Sequence, residues 1–223
     1  MGMCGRFMLC SPANTVGTMF GVDIELLPPR WNITPTQSVA IIRCAAGERE
    51  LALLRWGLVP SWSKDLKSGA RMINARSETV GVKPSFRAAM KSRRCLVPVD
   101  GYYEWMRDGD VKCPFCIRRV GGEPFGMAGL WESWTSPVGE VIETCCILTC
   151  SPNRTLASIH DRMPVILGEV DFDKWLQVDR YDVPAVEPLM RLCSEDYLHA
   201  IEVSSHVNRP AKDDQTCCEP IVG

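Results

Sequence analysis

The alternation of apolar and polar positions predicts short β-strands along most of the chain. Residues 38–44 and 51–56 alternate around a turn at 46–48, which is typical of a β-hairpin. Further strands are predicted at 95–99, 115–120, 125–130 and 142–150. Turns, and not regular helical crossovers, separate most of these strands. The pattern therefore favours an α+β fold with a largely antiparallel, partly closed, barrel-like sheet flanked by short helices.

Helical periodicity is confined to short segments. A helix is predicted at 11–20, with Ser11 as its cap and Pro12 at its first position. Residues 28–35 are predicted to be extended and irregular, and residues 59–70 form a polar loop that carries Trp62. Other helices are predicted at 83–94, 152–159 (capped by Ser151), 171–178 and 186–193.

Length and composition fit an ordinary globular protein. The 223 residues suit one domain or two small ones, and 46% apolar with 23% charged residues excludes a disordered chain. No apolar run approaches the roughly 20 residues of a membrane span, and the N-terminus has no signal-peptide pattern. We expect a soluble, cytoplasmic protein without a membrane partner.

Twelve cysteines are many for such a protein. The simplest interpretation is that they are reduced and mostly buried, where they act as small apolar residues. Cys113 and Cys116 have the spacing of a zinc ligand pair, but no second suitable pair follows. We therefore expect no metal site.

Charge is unevenly distributed although the net charge is only −2. Residues 64–94 contain nine Lys or Arg and two acidic residues, whereas residues 168–202 contain nine acidic residues and three Lys or Arg. This asymmetry fits an anionic partner bound on one face, and it fits solvated helix faces equally well.

Four residues are candidates for chemistry. Cys4 would offer two nucleophiles as an N-terminal residue, because the α-amine has a reference pKa of about 7.7–8.0 and the thiol one of about 8.5. Glu104 lies between two aromatic residues, and burial there would raise its pKa and suit it to proton exchange. Asn74 can orient an amine or a carbonyl, and His160 can transfer a proton. Taken singly, each also fits a structural role: a buried thiol, a solvated glutamate, a turn amide or a core histidine.

Five ordered motifs resemble those of the SRAP family, the SOS-response-associated peptidase domain. They are Met-Cys-Gly-Arg-Phe at 3–7, Trp-Gly-Leu-Val-Pro at 56–60, Ile-Asn-Ala-Arg-Ser-Glu at 73–78, Gly-Tyr-Tyr-Glu-Trp at 101–105 and His-Asp-Arg-Met-Pro at 160–164. The resemblance implies a single domain over 3–222 that responds to DNA damage. Members of this family crosslink covalently to abasic sites in single-stranded DNA.

The resemblance also implies roles for individual residues. Cys4 would be the nucleophile that closes a thiazolidine, with Asn74, Glu104 and His160 as the other catalytic residues and no cofactor. Arg6, Arg76 and Arg162 would bind phosphates, Asn32 would contact the DNA backbone, and Trp62 would stack on a base. We expect a monomer whose partner is single-stranded DNA with abasic sites, associated with the nucleoid when bound. Autoproteolytic removal of a leader and lyase chemistry are further implications.

The N-terminus departs from the family pattern, in which the cysteine is the second residue. Here Met1 and Gly2 precede Met3, so they are a leader that the domain removes, a cloning remnant, or residues upstream of a true start at Met3. While they remain, the Cys4 nitrogen is an amide that cannot close a thiazolidine.

Two other functions remain open on the sequence. A cysteine peptidase that cleaves proteins would use the same Cys4, His160 and Glu104. A non-catalytic module that binds single-stranded DNA would need only the cationic and aromatic side chains. The basic segment 64–94 favours a DNA partner over a protein substrate.

Overall fold

The computed structural model describes residues 4–177 and 182–221. The predicted leader, residues 1–2, and the last position of the helix predicted at 171–178 lie outside these ranges. The strands are β1 (Phe7–Leu9), β2 (Arg30–Ile33), β3 (Ser38–Ala45), β4 (Glu48–Trp56), β5 (Asn74–Arg76), β6 (Arg94–Val99), β7 (Gly101–Asp108), β8 (Val111–Arg119), β9 (Phe125–Thr135), β10 (Val141–Cys150), β11 (Met163–Pro164), β12 (Ile166–Leu167) and β13 (Leu198–Glu202). The α-helices are α1 (Ala13–Phe20), α2 (Arg87–Ser92), α3 (Phe172–Gln177) and α4 (Val183–Val186).

The larger sheet closes into a barrel. Its strands run in the order β11-β10-β4-β3-β6-β9-β12, and β10 pairs with β9 as well as with β4. The ring β4-β3-β6-β9-β10 is therefore complete, and it is antiparallel except where β10 runs parallel to β4. This confirms the predicted α+β class with a largely antiparallel, partly closed sheet. Closure also removes the exposed edges that an open sheet would leave.

The barrel encloses the main hydrophobic core. Every residue of β6 is buried, and Ile42, Leu96 and Ala128 come from three adjacent strands of the ring with no exposed surface. Full burial of a Leu or Ile side chain is worth about 1.5–3 kcal/mol, so this interior is the principal source of stability. The predicted hairpin at 38–56 is confirmed as β3 and β4.

A second, five-stranded sheet carries the N-terminal segment. Its order is β13-β8-β7-β1-β2, and β1 pairs antiparallel with β7 so that Phe7 faces Tyr102. Gly101 is required for this packing, since a Cβ there would come within 2.8 Å of the Ile117 oxygen and the Met8 methyl group. Strands β1, β7 and β13 of this sheet are absent from the sequence predictions.

The helix predicted at 152–159 is wrong, because this segment forms only turns. The buried Asn153 side chain accepts from the Leu156 amide at 3.1 Å and donates to the Ser194 oxygen at 3.4 Å. Asn therefore supplies a local side-chain bond that competes with helix propagation.

The Ser11 cap is also wrong. The Ser11 hydroxyl donates to the buried Asp100 carboxylate, and α1 begins after Pro12 with no side-chain cap bond. Asp100 also accepts the Cys10 and Ser11 amides, so this segment is fixed to the strands and not to the helix start.

The helices predicted at 83–94 and 186–193 are shorter or shifted in the structure. The first is confined to α2, while α4 begins earlier than predicted and is followed by a 3-10 helix at Glu187–Leu189. None of the helices in the described part of the chain has the length and apolar character needed to cross a lipid bilayer.

The loop after β4 crosses back over the barrel at a tight glycine contact. The Gly57 amide bonds the Cys145 oxygen at 2.8 Å, and a 3-10 helix at Leu66–Arg71 brings Gly69 against the Gly57 backbone. This contact positions both Trp62, which lies within the loop, and Asn74, which follows it at the start of β5.

Gly69→Ala is expected to destabilise the protein by about 1–3 kcal/mol, because the new Cβ would clash with the Gly57 carbonyl and lie 2.9 Å from a Val59 methyl group. Alanine in a helix normally makes a protein more stable than glycine does, so a loss of stability in Gly69→Ala would indicate the close contact with Gly57. Urea unfolding measures the change. The control is Gly81→Ala, whose Cβ would meet its nearest neighbour at 3.9 Å. Equal effects of the two substitutions would contradict the predicted clash.

Candidate functional site

The pairing of β1 with β7 places the Cys4 nitrogen against Glu104. The Tyr103 amide donates to the Arg6 oxygen at 2.9 Å, and this register brings the Cys4 N–H to Glu104 Oε1 at 2.5 Å. Both residues are buried. The two groups are 100 positions apart in sequence, so only the sheet holds them together.

Glu104 is poised for proton exchange near neutral pH. Burial raises its pKa from the ordinary 4.5 to about 7, against the opposing effect of the bond from the Cys4 amide. One carboxylate oxygen faces the Cys4 nitrogen, and the other lies 4.0 Å from His160 Nε2. A carboxyl group with this pKa and these neighbours can both donate and accept a proton at the Cys4 nitrogen.

His160 is held by the loop that precedes β11. Its Nδ1 accepts the Arg162 amide at 3.1 Å and lies 3.0 Å from an Asp161 carboxylate oxygen. These contacts turn Nε2 towards Glu104. The three predicted residues Cys4, Glu104 and His160 therefore meet at one site.

Asn74 approaches the same site from the barrel. It opens β5, which runs parallel to β10 in register with Ile147, and the preceding Ile73 lines the cleft over Glu104. The catalytic role predicted for Asn74 stays a prediction.

The Cys4 thiol is fully buried and neutral. Burial, and then the neighbouring Glu104 charge, raise its pKa well above the ordinary value. Its backbone is in the left-handed region, with φ of 39°, which is uncommon for a residue with a Cβ. Burial therefore favours the neutral thiol of Cys4 over the thiolate.

A cleft of about 270 Å³ opens above these residues. Sequence analysis missed Trp105, Arg107 and Lys112, which line one wall from the β7–β8 hairpin. Residues 102–107 show no alternation of apolar and polar positions that would have predicted the strand carrying Trp105 and Arg107. The other lining residues are Gly5, Arg6, Pro35, Ile73, Glu104 and His160.

Arg6 forms the floor of the cleft. Its guanidinium donates to Asn32 Oδ1 at 2.7 Å and to the Val207 oxygen at 2.7 Å, and it lies 5.7 Å from the Trp105 ring centre. Asn32 is fully buried and donates in turn to the backbone oxygens of Arg209 and Lys212. Asn32 therefore orients Arg6 in this structure and has no exposed surface of its own.

The other predicted DNA-binding residues differ in their exposure. Arg162 is only 10% exposed, because it makes a bidentate ion pair with Glu78 at 2.6 and 2.8 Å and donates to the Thr149 oxygen. Arg76 is exposed, and Trp62 is 65% exposed. Arg76 and Trp62 are thus accessible to a ligand, whereas Arg162 joins two loops.

The side chains that are close enough to bind a metal ion together lie away from this cleft. Within residues 4–177 and 182–221, the one group of side chains close enough to share a metal ion is His206, Asp214 and Cys217. All of the cysteines, including Cys113 and Cys116 on β8, are free thiols.

Comparisons with known proteins agree with the motifs. A family model described as SOS response associated peptidase (SRAP) matches residues 3–210. The abasic site processing protein YoqW of Bacillus subtilis is 41% identical over 214 residues, covering 93% of this chain and 95% of that protein. The abasic site processing protein HMCES of Xenopus tropicalis is 32% identical over 90% of this chain and 68% of its own. A crystal structure of a Bacteroides thetaiotaomicron protein superposes with a TM-score of 0.88 at 25% identity, over 98% of this chain and all of that one.

The raised pKa of Glu104 predicts a pH-dependent stability difference. The folded state keeps the Glu104 proton up to about pH 7, whereas an ordinary glutamate releases it near 4.5, so the contribution of Glu104 to stability falls as pH rises through this window. Glu104→Gln removes the titration and should gain about 3 kcal/mol relative to the parent between pH 4.5 and 7.5. Urea unfolding at several pH values measures it, in a Cys4→Ala background that keeps the Cys4 position an amide. A pH-independent difference would show that the carboxyl group titrates normally.

Proposed function

The chain belongs to the SOS response associated peptidase (SRAP) family, and on this basis we propose that it processes abasic sites in single-stranded DNA by forming a covalent crosslink through Cys4. The observation that carries the proposal is the Cys4 nitrogen held 2.5 Å from a Glu104 carboxylate whose pKa is raised to about 7, at the base of an open cleft. Family members named abasic site processing proteins support the choice of substrate.

The proposed chemistry needs only the residues at the site. The free Cys4 amine attacks the aldehyde carbon of the ring-opened deoxyribose, and loss of water gives an imine. The Cys4 thiol then adds to the imine carbon, its proton moves to the nitrogen, and a five-membered thiazolidine results. Glu104 exchanges the protons at nitrogen, and His160 protonates the sugar ring oxygen so that the ring opens. Asn74 orients the amine or the carbonyl.

Release of the leader must precede this reaction. With Met3 attached, the Cys4 nitrogen is an amide whose lone pair is delocalised, and only hydrolysis of the Met3–Cys4 bond makes it a nucleophile. We propose that the domain removes the leader itself. The Cys4 thiol adds to the Met3 carbonyl carbon, Glu104 gives a proton to the departing Cys4 amine, and water then hydrolyses the resulting thioester, which frees the thiol and leaves Met3 as a carboxylate. The same groups would support β-elimination of the DNA strand, that is, lyase activity, from the imine.

The surroundings of Arg6 favour binding of an anionic substrate. Its partners Asn32 and Val207 are neutral oxygen acceptors, so its charge is held in place but not cancelled by these bonds. Arg107 and Lys112 pair across the β7–β8 hairpin and both line the cleft, so the hairpin brings two further cationic side chains to it. Arg76 and Trp62 are exposed outside the cleft, and we propose that they extend the cationic and aromatic contacts to a single strand.

The competing functions are supported less well. A cysteine peptidase that acts on other proteins has less support, because the cleft beside Glu104 is lined by the cationic side chains of Arg6, Arg107 and Lys112, which suit an anionic substrate better than a polypeptide. A passive DNA-binding module would give no reason to bury Glu104 against the Cys4 nitrogen.

Cys4→Ala is expected to abolish the denaturant-resistant adduct with abasic single-stranded DNA while leaving binding to undamaged strands intact. Glu104→Gln should slow adduct formation by about 10²–10⁴-fold, since an acid–base residue acts in the transition state. Denaturing gels over time give the rate, and mass spectrometry of the adduct identifies Cys4. An adduct that retains the leader residues and still has the mass of a thiazolidine would contradict the mechanism, as would full crosslinking by Cys4→Ala.

Arg76→Ala and Arg107→Ala should each weaken non-covalent binding to single strands of any sequence. Removing one side chain that binds a phosphate should flatten the slope of log affinity against log salt by about 0.7. Fluorescence anisotropy with undamaged oligonucleotides measures both quantities. The control is Arg191→Ala, an exposed arginine in the acidic segment 168–202, which should leave affinity and slope unchanged. If Arg191→Ala matched the other two, the phosphate surface would not be at the cleft.

A further inference from the structure

The segment after β13 brings three metal-ligating side chains together behind the cleft. Two 3-10 helices, Ser205–Asn208 and Gln215–Cys218, pack against each other there. His206 Nε2 lies 3.1 Å from both Asp214 oxygens, and Cys217 Sγ completes a group whose ligand atoms all lie within 4.8 Å of one another. Neither His206 nor Cys217 lies in the site already described, and the proposed DNA chemistry uses neither.

We propose that His206, Asp214 and Cys217 bind a zinc ion that fixes this segment. One imidazole, one carboxylate and one thiolate form a donor set that zinc accepts in tetrahedral sites, whereas calcium and magnesium require oxygen ligands. The backbone oxygen of Lys212 lies 3.4 Å from Cys217 Sγ and is placed to be the fourth ligand.

The geometry needs only a small adjustment. Zinc bonds of about 2.0–2.3 Å in a tetrahedron separate the ligand atoms by roughly 3.3–3.7 Å. The His206–Asp214 contact of 3.1 Å and the Lys212–Cys217 contact of 3.4 Å lie close to this range, and the three side-chain ligand atoms lie within 4.8 Å of one another, so the widest pair must move closer. Binding would replace the His206–Asp214 hydrogen bonds and the bond from the Cys217 thiol to the Lys212 oxygen. The thiol proton goes to solvent as the zinc–sulfur bond forms.

A zinc ion at this position would affect the cleft, because the segment that it binds also supports Arg6. Lys212 and Val207, in the same segment, provide backbone oxygens to Asn32 and Arg6. Zinc at His206, Asp214 and Cys217 would therefore stiffen the support of the Arg6 guanidinium. Zinc binding at this position is independent of the proposed DNA chemistry, so each can be tested without the other.

The test uses the full chain, stripped with a chelator and then titrated with Zn²⁺ and separately with Co²⁺. We expect one equivalent of zinc by elemental analysis, a thiolate-to-cobalt charge-transfer band, and a zinc-dependent rise in melting temperature. His206→Gln and Cys217→Ser should each weaken binding by more than the roughly 10–100-fold that loss of an outer-shell hydrogen bond costs. His206→Gln keeps a hydrogen-bond donor for Asp214 at a partly exposed position, so it should fold even if Cys217→Ser does not.

Cys218→Ser is the matched control, because Cys218 adjoins Cys217 but lies outside the group and donates to the Gln215 oxygen. It should retain the zinc equivalent and the cobalt band. Failure of the wild-type chain to bind zinc would overturn the proposal. Zinc that binds wild type and His206→Gln equally would overturn it too, since that ion would lie at other thiols.

Discussion

The register of β1 against β7 is the constraint on which the site depends. The pairing of Phe7 with Tyr102, together with the bond from the Tyr103 amide to the Arg6 oxygen, sets the Cys4 nitrogen beside Glu104. A shift by one residue would turn the Glu104 side chain to the other face of the sheet. Gly101 protects the register, because any side chain there would collide with Ile117 and Met8. The chemistry thus depends on a two-residue backbone pairing reinforced by a glycine contact.

Glu104 and Arg6 are two buried ionisable residues that line the same cleft, and their surroundings affect them differently. Glu104 is desolvated, so it resists ionisation and stays able to carry a proton. Arg6 is desolvated too, and its neutral hydrogen-bond partners hold the guanidinium without a carboxylate. Arg162 shows the alternative, since Glu78 neutralises it and it serves to tie loops together. Near the site, a buried ionisable group with neutral partners, such as Glu104 or Arg6, keeps its charge or its proton available to a ligand. A buried group with a counter-ion, such as Arg162, holds parts of the chain together.

The sequence predicted the barrel strands better than the sheet that holds the site. Strands β3, β4, β6, β9 and β10 have strongly apolar patterns because the closed core demands them. Strand β7 was missed because Tyr102, Tyr103 and Glu104 are all buried, and so the alternation that marks a strand is lost. Motif resemblance identified Glu104 and His160, yet only the tertiary structure shows that the Glu104 carboxylate lies between the Cys4 nitrogen and His160. Arg162 and Asn32 likewise looked alike in sequence as DNA contacts, and their internal bonds could not be foreseen.

The distance in sequence between Arg6 and Val207 orders events during synthesis. The first residues of the chain leave the ribosome early, but the backbone oxygen that anchors Arg6 is made about 200 positions later. At synthesis rates of roughly 5–20 residues per second, the N-terminal segment waits about 10–40 s for its last partner. Arg6 therefore cannot make its full set of hydrogen bonds until Val207 has been synthesised. The support of Arg6 can thus form only after both partners of the Cys4–Glu104 contact have been synthesised.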